Sequence, residues 1–161
     1  IGMNPDMKKD IKSLSPRLAL LPLATILGSW LGAVVAYLIM NIDLTSVLQH
    51  RSLSDCLALN SGFAYYSLSS IFITEYRGAE LGTIALLANI IREMTTLLLT
   101  PLLAKWFGPL APISTGGATT MDTTLPIITQ TIGQRYVALS IYHGFVTDFS
   151  VPFLVTMWCM L

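Results

Sequence analysis

The chain has 161 residues, of which 53% are hydrophobic and only 11% are charged, and its mean hydropathy is +0.67. Soluble domains carry about 25% charged residues, so this composition excludes an ordinary soluble domain and indicates an integral membrane protein. Nine basic and nine acidic residues cancel, so nothing in the charge balance indicates binding to nucleic acid.

Long apolar runs recur along the chain. The first contains no charged residue and, at a rise of about 1.5 Å per residue, is long enough to cross a bilayer with some tilt. We therefore predict an all-α, polytopic membrane protein in a single transmembrane domain, without a soluble domain between spans. The five predicted spans are residues 18–42, 54–75, 81–106, 111–132 and 136–161.

Basic residues flank these spans unevenly, and they predict the orientation of the chain. With alternating sides, six basic residues fall on one side of the membrane and two on the other. Short cytoplasmic loops carry the excess of Lys and Arg, so we expect the N-terminus of this segment to be cytoplasmic. The cluster that carries this prediction precedes the first span and consists of Lys8, Lys9, Lys12 and Arg17.

The fourth predicted span holds an unusual segment, residues 116–126, with two glycines, four threonines, an acid and a proline. A carboxylate at this depth costs roughly 2.5–3.5 kcal/mol on insertion scales unless a partner or a cation balances it. Paired Gly and Pro allow a helix to break and to offer backbone groups to a ligand. We predict a broken helix in which Asp122 is the cation-binding carboxylate. The threonines expected to line it are Thr119, Thr120, Thr123 and Thr124.

A simpler role for Asp122 stays open. It could cap a half-helix that begins at Thr123, with Pro126 in its first turn. Capping and cation binding do not exclude each other.

The third predicted span carries Arg92 and Glu93 near its centre. Adjacent side chains on a helix point about 100° apart, so each needs a group on another helix or a water-filled cavity. An interhelical structural ion pair and a place on the translocation path are both compatible with the pattern. Asn89 lies one turn before Glu93, and we expect it to face the same cavity.

Two further segments carry polar groups at depth. Asp148 in the last span is a candidate site residue, whereas His143 is expected to serve packing and hydrogen bonding. Tyr65 lies in a Tyr- and Ser-rich stretch that serves either helix packing or an ammonium-binding wall. We find no spacing of a nucleophile and a base and no metal-ligand pattern, so neither an enzyme nor a cofactor or metal site is predicted. Cys56 and Cys159 are expected to be free thiols.

Four motifs occur in an order that resembles the LysO-type lysine exporters. They occupy residues 61–69, 89–93, 117–126 and 143–145, and the resemblance covers roughly residue 53 to the end. The chain differs from that pattern where Ala64 and Tyr65 replace Gly and Trp, and where Ile90 replaces an acid. The aromatic change could alter substrate preference.

The resemblance implies an inner-membrane L-lysine exporter that exchanges lysine for protons. It also implies a distant relation to the cation/proton antiporter and bile-acid transporter folds, whose inverted repeats cross at broken helices. The chain would be the C-terminal half, one inverted repeat. Its partners would be lysine, protons, membrane lipid and an N-terminal half in the same or a separate chain, with a homodimer left open.

At the site, Asp122 would bind lysine or a proton in competition, and Arg92 would attract the substrate carboxylate while Glu93 balances Arg92. Two rivals stay open. One is a sodium or proton antiporter without an amino-acid substrate, and the other is a structural half that contributes no essential site.

Overall fold

A computed structural model describes residues 16–42 and 52–161, with side chains for 18–40 and 52–161. Lys8, Lys9 and Lys12, which carry the predicted orientation, lie outside the described residues. The described chain is helical, in agreement with the predicted all-α class. Its α-helices are α1 (Leu21–Ile42), α2 (Leu53–Asn60), α3 (Tyr66–Arg77), α4 (Ala79–Phe107), α5 (Ala111–Gly116), α6 (Leu125–Ile132) and α7 (Val137–Met160).

Within the described residues, three helical stretches are long and apolar enough to cross a membrane: Leu18–Met40, Ala79–Phe107 and Gln134–Met160. Large apolar side chains on them point outward, among them Leu31, Leu98 and Phe149 at 68%, 70% and 64% exposure. Such a surface would be costly in water and is typical of contact with lipid. The protein is therefore a polytopic helical membrane protein.

The second predicted span is interrupted, and the sequence indicated only a loosened start there. Helix α2 begins with a capping box between Ser52 and Asp55, and the chain leaves the helical path between α2 and α3. Phe63 and Ala64 both have positive φ, 44° and 68°. Non-glycine residues in this region are strained by about 1–3 kcal/mol each, so surrounding contacts must hold them there.

The fourth predicted span is also interrupted, where the Gly, Thr and Pro content predicted it. Helix α5 ends at Gly116 and a 3-10 turn follows over Gly117–Met121. Gly117 has φ 60° and ψ −127°, a conformation that glycine adopts with little strain. Helix α6 then starts at Leu125, with Pro126 in its first turn.

The two interruptions meet in space. The backbone N–H of Ala118 donates to the carbonyl of Phe63 at 2.9 Å. The approach is so close that a Cβ on Gly117 would overlap that carbonyl. We call this contact between residues 61–65 and 117–124 the crossing. It is packed against α7, where a Cβ on Gly144 would lie 2.7 Å from the backbone nitrogen of Met121.

Candidate functional site

A cavity of about 210 Å³ lies beside the crossing. This is room for several water molecules, each of which occupies about 30 Å³ in the liquid. Three of its lining residues are acidic, and within the described part of the chain no Lys or Arg lines it. We call it the acidic cavity. Its lining residues are Ala64, Tyr65, Tyr66, Ser67, Glu93, Ala118, Thr119, Met121, Asp122, Thr123 and Asp148.

Asp122 lies between the 3-10 turn and α6, with its carboxylate at the cavity. Its Oδ1 accepts a hydrogen bond from the Thr123 backbone N–H at 2.6 Å, and the Thr123 hydroxyl lies 3.4 Å from the same oxygen. The N-cap of α6 is Thr124, which makes no side-chain cap bond. Asp122 therefore does not cap a half-helix beginning at Thr123, and its carboxylate remains available to a ligand.

Glu93 from α4 and Asp148 from α7 complete the acidic lining. Asp148 is close enough to Asp122 for their charges to repel each other. Repulsion between carboxylates grows as water is excluded, and a cation or a bound proton relieves it. The arrangement therefore favours positively charged ligands.

Tyr65 and Tyr66 form the wall of the cavity at the start of α3. Tyrosine offers both a hydroxyl and an electron-rich ring face, and an ammonium group is attracted to either. The structure thus brings Tyr65 and Thr123 to the same cavity as the three acids.

Asn89 is placed differently from the expectation that it shares a cavity with Glu93. It is 3% exposed, and its Oδ1 accepts from the Ala64 backbone N–H at 2.8 Å. Its Nδ2 donates to Ser69 Oγ at 3.2 Å and to the Ala85 carbonyl at 2.9 Å. Asn89 thus gives a hydrogen-bond partner to the backbone N–H of Ala64, a residue with strained positive φ in the first interruption. Because Ala64 lines the acidic cavity, Asn89 supports the geometry of the cavity wall without lining the cavity itself.

Replacing Asn89 by Leu should destabilise the protein, because the buried Ala64 N–H would lose its acceptor. An unsatisfied buried donor costs about 1–3 kcal/mol. We expect a lower melting temperature in detergent and less protein in the membrane. Asn60→Leu is the matched control, since among the described residues the Asn60 side chain donates only to the Cys56 carbonyl of its own helix. Equal melting temperatures for the two variants would contradict this role for Asn89.

Arg92 points away from the acidic cavity. Its Nε donates to the Thr115 carbonyl at 2.9 Å and its Nη2 to the Ser114 carbonyl at 3.1 Å. These carbonyls belong to the C-terminal end of α5, where the helix dipole favours a positive charge. The guanidinium also lies 5.5 Å from the centre of the Phe63 ring. Within the described residues Arg92 forms no ion pair. The interhelical ion pair that the sequence left open is therefore not present there, and the partners of Arg92 are the carbonyls at the end of α5.

Thr120 lies inside the crossing and does not line the acidic cavity. Its hydroxyl is 2.8 Å from the Gly117 carbonyl and 2.9 Å from the Ser140 carbonyl, which ties the 3-10 turn to α7. His143 is fully buried beside it, with its Nε2 2.9 Å from Thr25 Oγ1 on α1. These contacts fit the packing role expected for His143.

The sequence pointed to some cavity residues only as members of a motif. Ser67 and Met121 line the acidic cavity, yet neither residue type indicates ligand binding by itself. Thr25 was missed because it lies in the first span, which reads as a plain apolar helix. The sequence offered only one hydroxyl as a sign of a role for Thr25. Such a hydroxyl in a helix usually donates to a backbone carbonyl of the same helix, so it does not by itself indicate a contact with another helix.

Two interrupted helices that meet beside an acidic cavity, inside a polytopic helical bundle, are typical of secondary transporters. Irregular backbone at membrane depth is tolerated where it is buried in protein or lines a cavity, and both conditions hold here.

The chain belongs to the lysine exporter LysO family, whose family model matches residues 1–159. It is 31% identical over 142 residues to "Lysine exporter LysO" of Escherichia coli K12, covering 88% of this chain and 44% of that protein. It is 34% identical over 129 residues to "Putative lysine exporter" of Haemophilus influenzae, covering 80% of this chain and 61% of that protein. The chain thus spans less than two thirds of each relative. No solved structure matches it.

Proposed function

We propose that this chain is the C-terminal part of an L-lysine exporter of the inner membrane, and that the acidic cavity receives the ammonium group of lysine. One observation carries the proposal: three carboxylates from separate elements line one cavity at the crossing, and no described Lys or Arg lines it. The names of the two relatives supply the identity of the cargo.

In this mechanism Asp122 is the cation-binding carboxylate. It holds either the lysine ammonium or a proton, and because one excludes the other, each departure of lysine is linked to the arrival of a proton. Asp148 and Glu93 add negative charge, so the cavity is unfavourable when it holds neither ligand. Tyr65 and Thr123 supply a ring face and a hydroxyl beside the ammonium group.

Two other predicted site residues, Asn89 and Thr120, act on this cavity indirectly. Asn89 holds the Ala64 backbone that forms one wall, and Thr120 holds the 3-10 turn that presents Asp122. Both would position the binding groups and not touch the cargo.

We propose that the length by which the relatives exceed this chain supplies an N-terminal repeat, in the same chain or as a separate subunit. We further propose that the N-terminus of this segment is cytoplasmic.

The coupling ion can be tested with the complete transporter in proteoliposomes. We expect labelled lysine to exchange across the membrane, and we expect a lysine gradient to move protons in the opposite direction when the membrane potential is clamped. A sodium gradient should not accelerate lysine exchange. Proton movement driven by sodium alone, with no exchange of lysine, would refute lysine export and support a sodium/proton antiporter.

A further inference from the structure

A second cavity, of about 390 Å³, lies where Arg92 of α4 contacts the C-terminal end of α5. It is bounded by α1, α4 and α5 and shares no lining residue with the acidic cavity. Neighbouring residues of α4 open into different cavities, Arg92 into this one and Glu93 into the acidic one. We call it the Arg92 cavity. Besides Arg92, its lining includes the hydroxyl-bearing residues Thr25, Ser29, Ser114 and Thr115.

The charge of Arg92 is the unusual feature of this cavity. Its Nε and Nη2 are used by the α5 carbonyls, while Nη1 makes no hydrogen bond to any described residue. No acidic residue of the described chain lines the cavity. Helix-end carbonyls carry only about half a unit charge, so they do not neutralise a full guanidinium. A site at membrane depth with net positive charge favours an anionic ligand.

Lysine, the cargo in the proposed function, has an anionic group, its carboxylate. An amino acid brings a carboxylate together with its ammonium groups, and the three acids of the first cavity repel that carboxylate. The other described Lys and Arg side chains lie near helix ends and not mid-span: Arg77, Lys105 and Arg135. Arginine binds carboxylates with two parallel hydrogen bonds when two of its N–H groups are accessible.

We propose that the Arg92 cavity is a second binding site of the transporter, which takes the carboxylate of the cargo amino acid through Arg92. The proposal rests on the proposed function, because lysine is the source of the carboxylate. Ammonium and carboxylate are then recognised in different cavities, into which Glu93 and Arg92, adjacent on α4, respectively open.

Gly28 allows the cavity to be filled without removing Arg92. A Cβ at Gly28 would meet no atom of the described residues within 4 Å, and the residue lines the cavity. Gly28→Leu should therefore occupy the cavity and leave the bonds between Arg92 and α5 intact. Gly32→Leu is the matched control: Gly32 lies one turn further on the same helix, has equally open space, and does not line the cavity. Both changes favour the helix, since Leu has the higher helix propensity.

The experiment compares two ligands on the complete transporter in proteoliposomes: lysine, and diaminopentane, which is lysine without its carboxylate. We expect Gly28→Leu to raise the half-saturating lysine concentration at least tenfold and to leave inhibition by diaminopentane unchanged. Gly32→Leu should resemble the wild type for both ligands. An unchanged half-saturating lysine concentration in Gly28→Leu would overturn the proposal.

Equal weakening of both ligands in Gly28→Leu would also overturn it, because the cavity would then serve access or assembly and not the carboxylate. Either result leaves the proposed function standing, as long as the wild type exchanges lysine. A wild-type transporter that does not exchange lysine would refute the proposed function itself, and the carboxylate site with it.

Discussion

Asp122→Asn should abolish lysine export by the complete transporter while the protein still accumulates in the membrane. The amide has nearly the same shape, and it can still accept the 2.6 Å hydrogen bond from the Thr123 N–H. It can neither pair with an ammonium group nor carry an exchangeable proton. Loss of a charge-assisted interaction of about 3 kcal/mol corresponds to roughly a hundredfold weaker binding. Lysine efflux and resistance to a toxic lysine analogue measure the effect.

Glu75→Gln is the control for this experiment. Glu75 is an exposed carboxylate on α3 and does not line the acidic cavity, so its loss changes the charge of the protein but not the cavity. We expect wild-type export from this variant. Normal export by Asp122→Asn at wild-type abundance would contradict the mechanism and would support a structural half without an essential site.

Gly117→Ala should have the largest effect on folding. The substitution forces a side chain onto φ 60° and ψ −127°, which costs about 1–3 kcal/mol in strain. The new Cβ would also overlap the Phe63 carbonyl, and a backbone atom cannot rotate away as a side chain can. Overpacking adds about 1–3 kcal/mol. We expect loss of the hydrogen bond between Ala118 and Phe63, opening of the crossing and a large drop in the melting temperature and in export.

Gly133→Ala separates the cost of backbone strain from the cost of overlap with a neighbouring atom. Gly133 has φ 99° and ψ 157°, so alanine is strained there as well, but its Cβ would have no neighbour within 4 Å in the described part of the chain. This variant should lose only the strain energy and should retain lysine export. If Gly117→Ala and Gly133→Ala lose the same stability, then close contact at the crossing is not what requires glycine at position 117.

The crossing explains how a small cavity can be held at membrane depth. Each interruption leaves backbone groups without their helical partners, and most of the polar contacts described above serve these groups. Asn89 accepts from Ala64, and Arg92 donates to the end of α5. The interruptions also bond to each other between Ala118 and Phe63. Because the backbone is satisfied in this way, the three carboxylates remain available to a ligand.

Part of this architecture was predictable because its causes are local. Apolar length decides whether a segment spans a membrane, and Gly117 and Pro126 decide where a helix stops and restarts. The first interruption was less visible, since Phe63 and Ala64 are not turn-forming residues. Their positive φ values depend on Asn89 and on the other interruption, both distant in the sequence. A local sequence pattern does not reveal a strained backbone conformation that is stabilised by contacts with residues distant in the sequence.

The sequence by itself determined a helical membrane protein with an acid beside a helix break, because hydropathy, Gly and Pro act within one segment. It also determined that Arg92 and Glu93 diverge, since helix geometry separates adjacent side chains by about 100°. Only the tertiary structure decided that Glu93 joins Asp122 and Asp148 while Arg92 opens into another cavity. The physical reason is that each cavity is formed by several packed elements. The sequence of one element does not determine where the others lie relative to it.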